Sequence, residues 1–143
     1  MLATTPSGVR KALRYANDEC TRQGGGAVSF APDTVRKLDL SGDGRDDYIV
    51  DFRETVCADR EVAYCGTGGC RLDILVTLPN GKIRSVFSDR VRAYEILAGE
   101  VARIIRFELH GSYCGGHGIH PASKSTASRQ SRSDSRCRSE QPL

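Results

Sequence analysis

Residues 72–87 read Leu72-Asp73-Ile74-Leu75-Val76-Thr77-Leu78-Pro79-Asn80-Gly81-Lys82-Ile83-Arg84-Ser85-Val86-Phe87. Two apolar runs flank Asn80-Gly81, the dipeptide that best accommodates the positive φ angles of a two-residue hairpin turn. Such a turn sets Leu78 opposite Ile83, Val76 opposite Ser85 and Ile74 opposite Phe87. All six then share one face, so turn chemistry and apolar pattern agree on a register. The segment predicts an antiparallel sheet as the centre of the fold.

The pattern extends in both directions. Residues 94–97 and 102–109 form a second predicted hairpin around Ala98-Gly99-Glu100, with Ile105, Phe107 and Leu109 facing inward and Arg106, Glu108 and His110 outward. Upstream, Tyr48, Val50 and Phe52 alternate onto one face, and residues 27–30 are a short strand candidate. Residues 7–23 carry Val9, Ala12, Leu13, Ala16 and Cys20 at helical spacing. Thr5 or Ser7 can cap this helix, with Pro6 near its first turn and Gly24-Gly25-Gly26 ending it. Its narrow apolar stripe suits a helix lying across a sheet. The predicted fold class is α+β: one N-terminal helix packed on a mainly antiparallel sheet of about six strands, stapled by disulfides. No repeat of solenoid or propeller period is present.

The chain has 143 residues, 38% hydrophobic and 27% charged, enough for a packed core. No apolar run reaches the roughly 18–20 residues of a membrane-spanning helix. Composition changes near Gly118. Residues 1–118 read as a single globular domain, and residues 119–143 as a disordered Ser/Arg-rich tail without apolar periodicity. The tail holds Lys124, Arg129, Arg132, Arg136 and Arg138 against Asp134 and Glu140, so it carries the whole net charge of +3. With sparse charge and no interleaved aromatics, the tail does not suggest a nucleic-acid partner. An end shifted out of frame is a further reading of the abrupt change.

Six cysteines in a chain this short suggest an oxidising compartment. Cys65 and Cys70 enclose a short Gly-rich loop suited to a local bridge. Cys20 with Cys57 would tie the helix to the sheet, and Cys114 with Cys137 is a third pairing. The CxxC pairs of structural zinc are missing. Cys114, His117 and His120, with His110 just before, offer a soft-metal alternative to a disulfide with exposed histidines. Met1-Leu2-Ala3-Thr4-Thr5-Pro6 shows neither a basic start nor an apolar core of a leader, which taken alone points to the cytoplasm. The cysteines and the loop described next point to the periplasm or outside the cell, with the leader absent from this chain.

In Asp39-Leu40-Ser41-Gly42-Asp43-Gly44-Arg45-Asp46-Asp47-Tyr48-Ile49-Val50, side-chain oxygens fall at loop positions 1, 3, 5 and 9: Asp39, Ser41, Asp43 and Asp47. Gly44 holds position 6, where the backbone must turn, and Arg45 at position 7 offers its carbonyl. Hard oxygens at this spacing predict calcium as the cofactor. Position 12 is Val50, without the bidentate acid that closes an EF-hand, so weak affinity is expected. The alternative is a solvated acidic turn crowding five carboxylates into the thirteen residues 39–51. The segment resembles the DxSxDGxxD loops of dockerins and of integrin-type FG-GAP repeats. That resemblance implies a metal and a local geometry without an activity. As a whole the chain resembles small secreted proteins of bacteria, which implies no further chemistry.

No nucleophile elbow and no phosphate-binding loop is present. The expectation is therefore a monomeric, non-enzymatic extracytoplasmic module, with calcium and disulfides in structural roles, that binds an unknown protein or cell-envelope ligand. The alternative is a small secreted hydrolase using the His110/His117 region.

Overall fold

The structure, a computed structural model, describes residues 5–58, 64–110, 126–128 and 136–142; for residues 110, 126–128 and 136–142 only the backbone is described. Helix α1 spans Ser7–Arg22. At its start Arg10 N–H donates to the Pro6 carbonyl at 3.0 Å, and the N-cap position is Pro6, which supplies no side-chain cap. Its end is a Schellman motif, with Gly24 N–H on the Thr21 carbonyl and Gly25 N–H on the Cys20 carbonyl. Val9, Ala16 and Cys20 are buried, and Ala12 and Leu13 flank them.

Eleven strands are present among the described residues, in three sheets, where about six in one sheet are expected from the sequence. β1 (Val28–Ser29) pairs with β4 (Val56–Cys57). The central sheet contains β2 (Val35–Leu38), β3 (Asp47–Asp51), β6 (Gly69–Thr77) and β7 (Ile83–Val91), with β5 (Cys65–Gly66) pairing the start of β6. Only Arg92 separates β7 from β8 (Ala93–Leu97), which begins the third sheet with β9 (Ile104–His110), β11 (Arg136–Pro142) and β10 (Thr126–Ser128). All pairings are antiparallel.

Two of these strands lie within residues 119–143. Arg136–Pro142 pairs along the full length of β9, and Thr126–Ser128 pairs with it in turn. The remaining tail residues lie outside the described residues. Strand addition uses main-chain donors and acceptors, so a polar segment can extend a sheet without the apolar pattern that identifies core strands.

The central hairpin also departs from its expected turn. The loop has three residues, with Gly81 at φ +83°, and Leu78 N–H donates to the Lys82 carbonyl at 2.8 Å. A two-residue turn requires Pro79 to donate to Lys82, and proline has no N–H. The register next to the turn is therefore one residue off the expected one, with Thr77 opposite Ile83 and Leu75 opposite Ser85. An irregularity between Ile74 and Leu75 absorbs one residue of β7 and restores Ile74 opposite Phe87 as expected. Consequently the six residues do not share a face: Ile83 packs with the helix-side cluster, whereas Ile74 and Phe87 join the opposite one.

The central sheet is thus covered on both faces. On one face α1 packs over Val50, Phe52, Tyr64 and Leu75. On the other, Leu40, Ile49, Leu72, Ile74 and Val91 meet Ile105, Phe107 and Leu109 of the third sheet.

Candidate metal centre

The segment between β2 and β3 brings Asp39, Asp43 and Asp47 together, with one carboxylate oxygen from each lying within 4.8 Å of the others. This cluster can hold a metal ion. Glycine shapes the loop: Gly42 and Gly44 have φ +79° and +81°, angles that side chains rarely adopt. A Cβ on Gly42 would also collide with the Val101 carbonyl of the β8–β9 loop.

The three carboxylates do different work. Asp39 accepts from Gly42 N–H (2.9 Å) and Gly44 N–H (2.8 Å), closing the loop on itself. Asp43 is exposed and accepts from Arg45 N–H at 2.9 Å and from the Arg45 guanidinium at 3.2 Å. The Arg45 backbone bond is the main reason its pKa lies below the usual carboxylate value, with Ser41 and the Arg45 side chain adding to it. Asp47 is fully buried. Its carboxylate accepts three backbone N–H groups, from Leu40 (2.8 Å), Ser41 (3.1 Å) and Thr77 (2.8 Å). Those donors offset the desolvation of a buried charge and lash the loop to the end of β6. Thr77 adds a second tie through its hydroxyl, which donates to the Asp46 carbonyl at 2.6 Å. Arg103 completes the frame, with its N–H on the Leu40 carbonyl (2.8 Å) and Nε on the Asp39 carbonyl (3.2 Å). Thr77 and Arg103 lie far from the loop in sequence, and no spacing rule points to them.

The residues fit a hard cation. The donors are all oxygens, and a carboxylate has about four acceptor sites, so Asp39 and Asp43 keep lone pairs beyond those used. The Ser41 hydroxyl is buried and, among the described residues, makes no hydrogen bond of ordinary geometry, while lying close enough to Asp43 to lower its pKa. The other two carboxylates of the stretch stand apart. Asp46 pairs with Lys37 at 4.0 Å, and Asp51 accepts from Arg53 N–H at 3.0 Å. Val50, at position 12, is buried in the helix-side core and has no oxygen to offer.

The expected bridges Cys20–Cys57 and Cys65–Cys70 are both formed, with Cα atoms 5.4 and 4.0 Å apart. Gly25 lies so close to the first that a Cβ there would overlap both sulfurs. Disulfides of this kind persist in oxidising, non-cytoplasmic surroundings. No helix among the described residues is long and apolar enough to cross a membrane. Cys114, His117 and His120 lie outside the described residues. The backbones of His110 and Cys137 place them opposite Arg136 and Leu109, respectively, on the β9–β11 ladder. No protein-family model, curated protein or solved structure matches the chain.

Proposed function

We propose that the chain is a calcium-binding, disulfide-stabilised extracytoplasmic module that acts by binding a protein or cell-envelope component. The observation that carries the calcium reading is the convergence of Asp39, Asp43 and Asp47 in a glycine-turned loop with oxygen donors alone. Asp39, Asp43, Asp47 and Ser41 hold the ion, with the Arg45 carbonyl as a further donor. The ion neutralises the acidic loop and locks it against Thr77 and the β8–β9 loop. The likeness of the segment to dockerin and FG-GAP loops supports the same ion. The two disulfides support an extracytoplasmic setting, because they staple a small domain that calcium concentrations outside the cytoplasm would reach.

Thermal unfolding in calcium, in magnesium and in chelator tests this reading. A dissociation constant of about 1 mM, as for extracellular calcium modules, gives about 1.4 kcal/mol at about 10 mM ion. In a domain of this size that is a rise of about 5 °C in midpoint, reversed by chelator and smaller in magnesium. An unchanged midpoint in calcium rejects the ion, and with it this function.

A further inference from the structure

A cleft of about 500 Å³ opens where the edge strands β2 and β8 of the two large sheets approach each other, lined by Arg36, Asp51, Arg53, Ala93, Tyr94 and Ile96. We propose that this cleft binds a small organic anion, with Arg36 and Arg53 receiving its carboxylate or phosphate group and Ala93, Ile96 and the Tyr94 ring receiving its apolar part. The volume lies within the range of small-molecule sites. The proposal is independent of the calcium loop.

The lining is electrostatically lopsided. Two guanidiniums face one carboxylate, and Asp51 already accepts the Arg53 N–H through one oxygen. Among the described residues neither arginine forms a salt bridge, although both are held in place. Arg36 Nη1 donates to the Tyr94 hydroxyl at 2.9 Å across the gap between the sheets. Arg53 Nη2 donates to the Arg92 carbonyl, at the turn that joins the sheets. Each guanidinium has five N–H donors, so one bond apiece fixes its position and leaves donors for a ligand. A planar fork of this kind matches carboxylate and phosphate geometry. Tyr94 accepts from Arg36, and among the described residues its own O–H donates to nothing, which adds a neutral donor beside the cations. Asp51 disfavours a second negative charge, so a carboxylate is preferred over a phosphate monoester, which is mainly a dianion at neutral pH. The residues were separate in the sequence: Arg36 and Arg53 flank the acidic loop, whereas Ala93, Tyr94 and Ile96 belong to the second hairpin.

The test is titration of the full chain, in chelator, with benzoate, phenyl phosphate and the neutral isostere benzamide. Chelator keeps any ion at the acidic loop from bridging to phosphate, so failure here and failure of the calcium reading are separate events. The expected result is one-to-one binding of benzoate or phenyl phosphate at about millimolar affinity, with benzamide inert. The two anions distinguish a carboxylate from a phosphate ligand. Arg36→Gln and Arg53→Gln each weaken binding about ten-fold, as loss of a charged donor to an oxyanion should. Arg36→Lys restores part of it, since charge returns without the fork. Melting midpoints of the variants establish that they fold. Absence of binding by both anions at about 20 mM, benzamide binding as well as benzoate, or unchanged affinity in both glutamine variants overturns the proposal.

Discussion

The two faces of the central sheet are held by different means. The face toward the third sheet is a dry apolar layer, in which Phe107 stacks on Phe87 with ring centroids 4.2 Å apart and Leu40, Ile49, Leu72 and Ile105 are fully buried. The face toward α1 receives only Val9, Ala16 and Cys20 as fully buried helix residues. It adds a covalent bond and a set of polar ties. Cys20 is bonded to Cys57, and the Tyr64 hydroxyl donates to the Ala16 carbonyl at 2.5 Å. Arg71 lies over the Tyr15 ring at 3.9 Å, while pairing with the buried Asp73 at 3.3 Å, which also accepts from Ser88. A single narrow helix buries too little apolar area to secure itself, and cross-links compensate. A sheet facing another sheet has no such deficit.

The largest expected effect is therefore on the dry face. Phe107→Ala removes a fully buried ring with its stacking partner and should cost about 4 kcal/mol in urea unfolding. A loss below about 2 kcal/mol would show that the third sheet is not part of the same cooperative unit. On the helix face, replacing Cys20 and Cys57 together by alanine should cost about 3.8 kcal/mol, because the bridge spans 37 residues. The Cys65–Cys70 bridge spans 5 and should contribute about 2 kcal/mol. Equal losses in the two pairs would remove the helix-stapling argument.

The acidic loop repeats the contrast on a smaller scale. Asp47→Asn turns one acceptor oxygen of a buried group into a donor facing backbone N–H groups, with an expected loss of about 2 kcal/mol already in chelator, before its part in holding the ion is counted. Asp43→Asn, at an exposed position, should change stability in chelator by less than about 0.5 kcal/mol, yet abolish the calcium-induced rise in midpoint. If both variants lose the same stability in chelator, the distinction between a carboxylate that also anchors the loop and one that only faces the ion fails.

The smallest effect concerns the helix-side hydroxyl. Burial raises the Tyr64 pKa above its ordinary 10.0, with the nearby negative charge of Glu19 adding to it. Tyr48 is raised in the same direction, again mainly by burial. A group whose folded pKa is raised stabilises the fold below its unfolded pKa and loses that contribution as pH climbs through the folded one. Melting midpoints should hold up to about pH 10 and fall above it. Tyr64→Phe should cost about 1 kcal/mol at neutral pH and make the alkaline fall shallower. An unaltered alkaline limb would assign the effect to Tyr48.

What the sequence determined by itself was local. Helical spacing marked Val9, Ala16 and Cys20, strand alternation marked Ile105, Phe107 and Leu109, and the oxygen spacing from Asp39 to Asp47 marked an acidic cluster that the fold gathers. Each follows from a period or a loop position that a few neighbouring residues set on their own. Pro79 was equally local, and its missing N–H explains why the Asn80-Gly81 turn takes three residues, but its consequence required the partner strand to be in place. The tertiary structure alone decided the rest. β2 and β11 are strands because main-chain groups of other segments, β3 and β9, meet them, and main-chain pairing leaves little trace in side-chain pattern. Asp47 is a buried anchor because Thr77 comes to it from β6, and Arg36 reaches Tyr94 because two sheet edges converge. Long-range pairing brings together residues that no sequence window contains, and the anion cleft and the clamp on the acidic loop both arise there.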